Sequence, residues 1–232
     1  MFWRSLPVGR VLGIPVKLHF TFPIFLLVLV LMQTFAGGPA GGLLAGAVLV
    51  FLFLFVLLHE LGHSVVARRY GIPILDITLF PFGGMARTLG MPRRPGQELL
   101  IALAGPAVNV VLALLILPLW WAGPGGWTGA LLDTLLLANL MLAGFNLLPA
   151  FPLDGGRVLR ALLSLRWGHL RATVWAVRLG WLLALVLAAF GLATRRWMLV
   201  IIALFIMQAG GSELRLARRL DQRQGGTTGP AS

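Results

Sequence analysis

His59, Glu60 and His63 stand in the pattern His-Glu-x-x-His, inside Leu57-Leu58-His59-Glu60-Leu61-Gly62-His63-Ser64. On a helix, residues four apart share a face, so the two imidazoles can bind one Zn²⁺ with the glutamate beside them. Zinc in such a site lowers the pKa of a bound water to about 7, and a neighbouring carboxylate can take its proton. The setting is what distinguishes this pattern from a chance match. No Asp, Glu, Lys or Arg occurs from residue 18 to residue 58, and Glu60 is the first acid of the chain. Charged groups at membrane depth are costly and functional by default. The stretch therefore points to a hydrolase whose substrate lies in the membrane.

Catalytic zinc as a rule takes three protein ligands and leaves one position open. Asp133 falls at the start of an apolar run on the side of the membrane away from the histidines, and Glu213 and Asp221 fall in a basic C-terminal stretch. Glu98 is accounted for by the positive end of a helix that starts near it. Asp76 is flanked by strand-forming residues, and His169 lies near Arg166 and Arg171 at an interface. Asp154 follows Asn146-Leu147-Leu148-Pro149-Ala150-Phe151-Pro152-Leu153, where two prolines break a helix and can bring a carboxylate into the protein interior. Taken alone, Asp154-Gly155-Gly156 reads as a turn or a helix N-cap. Beside the histidine pair, Asp154 is the preferred third ligand and His19 the reserve.

These residues must be held by membrane spans. Of 232 residues, 59% are hydrophobic and 11% charged, against about 25% charged in soluble domains. The chain reads as an all-α polytopic membrane protein with about six spans of about 20 residues. The spans are expected near 18–35, 43–67, 99–121, 127–148, 172–192 and 197–209, with a short helix from Gly155. Between the second and third, Ile72-Pro73-Ile74-Leu75-Asp76-Ile77-Thr78-Leu79-Phe80 is rich in β-branched residues. Pro81-Phe82-Gly83-Gly84 supplies a turn, and residues 85–89 can return as a second strand. A small β-hairpin or re-entrant loop is expected there, with a strand edge that could pair with an unwound substrate. Residues 1–211 form a single membrane-embedded domain in this reading, and 212–232 a basic, disordered tail.

The charge pattern orients the spans. With the N-terminus in the cytoplasm, 16 of the 19 Lys and Arg lie on the inner side, leaving Arg195 and Arg196 outside and Arg178 within span five. Both termini are thus expected in the cytoplasm. His59 lies nine residues before Arg68, a depth of roughly 13 Å at the helical rise. The net charge of +12 is explained by these flanks, so no nucleic acid is expected as a partner. The absence of Cys excludes disulfides, Cys-ligated metals and a Cys nucleophile. The N-terminal stretch lacks a small-residue cleavage site after its apolar run, so no removable signal peptide is read.

Taken together, the two motifs resemble those of the site-2 protease family of intramembrane zinc metalloproteases. That family pairs an HExxH on one transmembrane helix with an Asn-x-x-Pro-x-x-x-Asp-Gly-type motif on a later one. Here the two are His59-Glu60-Leu61-Gly62-His63 and Asn146 to Gly155. Gly105-Pro106-Ala107-Val108-Asn109 and Gly9-Arg10 with Gly13-Ile14-Pro15-Val16 are also similar to the family's, so the resemblance covers about residues 5–210. It implies one Zn²⁺ per chain held by His59, His63 and Asp154, with Glu60 as general base and Asn146 touching substrate or the developing oxyanion. It implies cleavage of a membrane-spanning protein substrate near its cytoplasmic side, such as a membrane-tethered transcription regulator or anti-sigma factor. The setting would be a bacterial or archaeal inner membrane. No PDZ or CBS domain is present in the sequence. Asn109 reads instead as packing glue between helices, and Asn146 has a plainer reading as an interhelical hydrogen bond. The other function class is a non-catalytic metal-binding or metal-transporting membrane protein, which would need no base between its ligands.

Overall fold

A computed structural model describes residues 5–81, 83–92 and 94–226. The order is β1 (Ser5–Val11), β2 (Ile14–His19), α1 (Thr21–Arg69), β3 (Ile74–Phe80), β4 (Gly83–Thr88), α2 (Pro95–Trp121), α3 (Gly126–Asn146), α4 (Asp154–Trp167), α5 (His169–Ala193) and α6 (Trp197–Gly226). Five of these helices, α1, α2, α3, α5 and α6, are long and apolar enough to cross a membrane. The chain forms two compact units. One comprises residues up to 92 with 104–144, the other 93–103 with those from 145 onward. Arg4, Phe82, Arg93 and residues 227–232, which entered the charge count, the turn and the tail, lie outside the described residues.

In the first unit, α1 leaves the helical backbone at Gly38 (φ 71°, ψ −173°), just before Pro39. A positive φ costs glycine little, and the proline cannot continue the preceding hydrogen-bond ladder. The two arms fold back on each other. Phe22 meets Phe53 edge to face with centroids 4.0 Å apart. Val30 lies 3.6 Å from where a side chain on Gly46 would begin, and Thr34 occupies the space a side chain on Gly42 would need. These pairs step inward toward Gly38, as an antiparallel helical hairpin requires. Glycine at the crossing lets the backbones close up where lipid gives no hydrophobic drive.

The sheet has order β1-β2-β3-β4, more than the single hairpin anticipated in an all-α class. β1 and β2 are antiparallel through Leu12-Gly13, both at positive φ, as a two-residue primed turn demands. β2 runs parallel to β3 with Val16 opposite Ile77 and Leu18 opposite Leu79. β3 and β4 form the expected hairpin. Ile14, Ile77 and Leu79 bury their side chains with Val56 and Leu61 of α1. The sheet is therefore packed on the turn of α1 that carries the His-Glu-x-x-His pattern.

In the second unit, α4, α5 and α6 enclose a core of Ala150, Ala184, Ala203 and Ile206 and another of Phe151, Ala176 and Val177. Arg160 of α4 bonds both Glu98 of α2 and Glu213 of α6. Glu98 does sit in the first turn of its helix as expected, and it is buried against that arginine. α6 does not end near residue 209 but continues to Gly226. Beyond the apolar run it keeps one face engaged, with Leu214 against the Phe151 core and Ala217 buried. The helix outlasts its membrane-like segment, so residues 212–226 are helical where a disordered tail is expected.

Candidate active site

The His-Glu-x-x-His turn of α1 presents two faces about 100° apart, and each meets a different neighbour. His59 and His63 lie on the face toward α2, both buried. Their Nε2 atoms are 3.1 Å apart and their rings stand at 83°. Two imidazole lone pairs repel at that separation unless a proton or a cation lies between them, so the donor pair fits a metal such as zinc. The space exists because α2 passes at Gly105. A Cβ there would press on His63 Nε2 and stand 2.7 Å from His59 Nε2. One turn away, a Cβ on Gly62 would lie 2.8 Å from the carbonyl oxygen of Ala104. Glycine on both helices is what brings α2 onto the histidines.

Glu60 points the other way, toward the sheet. A Cβ on Gly84, the second residue of β4, would lie 2.5 Å from Glu60 Cγ and 3.1 Å from its Oε1. Since β4 is an outer strand, the edge of the sheet runs directly past the candidate base. The anticipated hairpin is thus part of the site's surroundings and not a plain connection.

Asn109, read as packing glue, does bond helices on both sides of α2, and one of its partners is His59 of the motif. Its Oδ1 lies 2.6 Å from His59 Nδ1, its Nδ2 donates to Asn139 Oδ1 at 3.0 Å, and Asn139 Nδ2 donates to the Leu135 carbonyl at 3.0 Å. Both asparagines are fully buried. A signal for Asn109 was present: it stands four residues after Gly105, hence on the same face of α2. Asn139, one polar residue in an apolar run, carries no such mark.

Asp154 and Asn146 belong to the second unit. Asp154 is buried and opens α4, with extended Leu153 as the N-cap residue. It occupies the first helical position and not the capping one. Arg157 Nη1 lies 3.9 Å from its Oδ1. Asn146 ends α3. Between them the chain makes tight turns, with Ala150 N bonding Leu148 O at 2.7 Å and Leu153 N bonding Ala150 O at 2.9 Å. It doubles back so closely that a Cβ on Gly155 would run into the carbonyl oxygens of Leu147 and Leu148. The two glycines after the aspartate are thus required by packing.

Asp76, Asp133 and the reserve histidine have partners of their own. Asp76 accepts from Lys17 Nζ at 2.6 Å and from Arg87 through both guanidinium arms. The Arg87 hydrogen bonds outweigh the cost of burial and, with Lys17, hold the Asp76 carboxyl at about 2, below its ordinary 3.8. This trio ties β2, β3 and β4 together. His19 Nδ1 lies 2.7 Å from Thr21 Oγ1 and its ring stacks on Phe80. Asp133 accepts from the indole of Trp120.

A family model for peptidase family M50 matches residues 47–125 and 125–187, more than half of the sequence. The chain belongs to peptidase family M50. The first matched M50 stretch contains His59, Glu60, His63 and Asn109, and the second contains Asn139, Asn146 and Asp154. The chain is 40% identical over 213 residues to a zinc metalloprotease of Methanocaldococcus jannaschii, across 91% of this chain and 61% of that protein. It is 33% identical over 134 residues to stage IV sporulation protein FB of Bacillus subtilis, across 53% of this chain and 43% of that one. Among solved structures it is similar to the site-2 protease from Methanocaldococcus jannaschii. There the TM-score is 0.67 and the identity 39%, covering 90% of this chain and 95% of that chain. This M50 member spans about three-fifths or less of the length of these two curated relatives.

Proposed function

We propose that this chain is an intramembrane zinc metalloprotease that hydrolyses a peptide bond in a substrate's transmembrane segment. The observation that carries the reading is the buried His59–His63 pair, Nε2 to Nε2 at 3.1 Å, with Glu60 on the adjoining face against the edge of the sheet. His59, His63 and Asp154 are all buried and each offers one ligand atom, a set that would hold zinc and leave a position open. Zinc bound there would supply Lewis-acid polarisation of the scissile carbonyl and a lowered water pKa. Glu60 takes the proton of the attacking water and returns it to the leaving amine. The Asn146 amide contacts the substrate or the developing oxyanion.

A helical substrate hides its amides, so the segment must be unwound before attack. The outer edge of β4 supplies main-chain partners for it. The antiparallel hairpin of α1 supports two crossings by that helix, and with α2, α3, α5 and α6 this gives six. In this reading, which the distribution of Lys and Arg supports, both termini lie in the cytoplasm and the histidines near the cytoplasmic side. The partners in this reading are the lipid bilayer and a membrane-spanning protein, such as a membrane-tethered transcription regulator or anti-sigma factor, in a bacterial or archaeal membrane. The test compares wild type, Glu60→Gln and Asp154→Ala for bound zinc and for cleavage of a membrane-tethered reporter. Glu60→Gln should keep its zinc and lose cleavage by about 10²–10⁴-fold, and Asp154→Ala should lose zinc. Undiminished cleavage by Glu60→Gln refutes the mechanism.

A further inference from the structure

His59 lies at the end of a run of side-chain amides whose direction is forced from its far end. Asn139 Nδ2 lies 3.0 Å from the main-chain carbonyl of Leu135. A carbonyl only accepts, so the NH₂ of Asn139 must be there and its oxygen must face the other way. That oxygen accepts from Asn109 Nδ2 at 3.0 Å, which leaves the oxygen of Asn109 for His59 Nδ1 at 2.6 Å. An amide oxygen also only accepts. His59 Nδ1 therefore carries the hydrogen and Nε2 carries the lone pair. Nε2 is the atom that faces His63.

We infer that Asn109 and Asn139 form a one-way relay, from α3 through α2 to α1, that fixes the tautomer and ring orientation of His59 for metal binding. The inference rests on the proposed role of His59 as a zinc ligand. It goes beyond interhelical adhesion on two counts. A lone Asn–Asn pair between helices would hold them together in either polarity, whereas here a backbone carbonyl permits one polarity only. The run also ends on a ring nitrogen of the motif and not on a third helix backbone. Gly105 and Asn109, one turn apart on α2, divide the task. The glycine clears the room for the ring and the asparagine aims it. Partners of this kind also raise the basicity of the ligand they hold. Both asparagines are positioning residues, acting through His59.

The full chain in detergent micelles is the material for the test. In metal-stripped wild type at about pH 8, where imidazole is neutral, long-range ¹H–¹⁵N spectra of histidine-labelled protein report each tautomer, with only 4 histidines to assign. His59 should carry its hydrogen on Nδ1. A hydrogen on Nε2 overturns the inference without recourse to any variant. Asn109→Leu should weaken zinc binding about 10–100-fold in competition with a chelator and shift the absorption bands of the cobalt-substituted protein. Asn139→Asp, protonated where it is buried, can still donate to the Leu135 carbonyl and accept from Asn109, and should remain near wild type. Asn139→Leu should fall between the two. Wild-type zinc affinity with unchanged cobalt bands in Asn109→Leu overturns the relay. A wild-type chain that binds neither metal overturns the proposed function instead, so the two failures are distinct.

Discussion

Replacing Gly105 by alanine adds one methyl group and should remove the metal. The new Cβ would press on His63 Nε2, stand 2.5 Å from His63 Cε1 and 2.7 Å from His59 Nε2. Reaching the 3.4 Å of ordinary contact requires the His63 ring to retreat by at least about 0.9 Å and the His59 ring by about 0.7 Å. Zinc–nitrogen bonds of about 2.0–2.1 Å tolerate shifts of about 0.2 Å, so both ligands move several times beyond that tolerance. Zinc affinity should fall by at least about 100-fold, more than is lost with a partner behind the ligand. Folding should suffer far less. Alanine gains about 1 kcal/mol of helix propensity over glycine, against about 1–3 kcal/mol for overpacking. The metal-stripped protein should therefore lose about 2 kcal/mol or less. The assay pairs zinc content after purification with thermal unfolding in chelator, and Gly96→Ala serves as the control. That residue is on the same helix with nothing within 4 Å of a built Cβ, so it should keep zinc and stability. Stoichiometric zinc and wild-type cleavage in Gly105→Ala would refute the account of how α2 shapes the site.

Two further outcomes test the surroundings. Gly84→Ala puts a Cβ 2.5 Å from Glu60 Cγ; cleavage should drop by about 10²-fold, the usual cost of displacing a reacting group by about 1 Å, while zinc stays bound, and undiminished cleavage would contradict it. The Asp76 carboxyl, held at about 2 against an ordinary 3.8, contributes stability that is complete above pH 4 and is lost as pH falls toward 2. That loss is about 2 kcal/mol. Thermal midpoints of wild type should fall through this window, and Asp76→Asn should lower the midpoint at pH 5 and flatten the fall. An equally steep acid dependence in Asp76→Asn would assign it to other groups.

The His-Glu-x-x-His pattern was legible because its spacing is local. Two histidines four apart with a glutamate between need no tertiary knowledge, and the absence of charge around them marks the membrane. The apolar runs gave the helices for the same reason, and the β3–β4 hairpin followed from β-branched residues around a Pro-Gly turn. β1 and β2 escaped because Pro7, Gly9 and Pro15 dilute a strand pattern. Moreover, the parallel partner of β2 lies beyond the whole of α1, a pairing no local window contains. The extension of α6 escaped because the end of an apolar run was equated with the end of a helix, whereas Leu214 and Ala217 are held by packing. Asn139 was hidden for a deeper reason: a side-chain amide in an apolar helix looks the same whether it holds a neighbouring helix or supports a candidate metal ligand.

The closeness of Gly84 to Glu60 has a consequence for selectivity. A substrate strand laid along β4, as proposed, would be measured from a fixed origin, since that edge begins beside the candidate base Glu60. Each residue of slippage would carry the bond to be cut about 3.3 Å past that origin and turn every substrate side chain to the opposite face. An enzyme working in this way would count along a backbone and not look up a word. Its preferred substrates would share a rhythm of every second residue flanking the cut, with little agreement at the cut itself. Two substrates with no letters in common could then be cleaved at the same distance from the membrane edge.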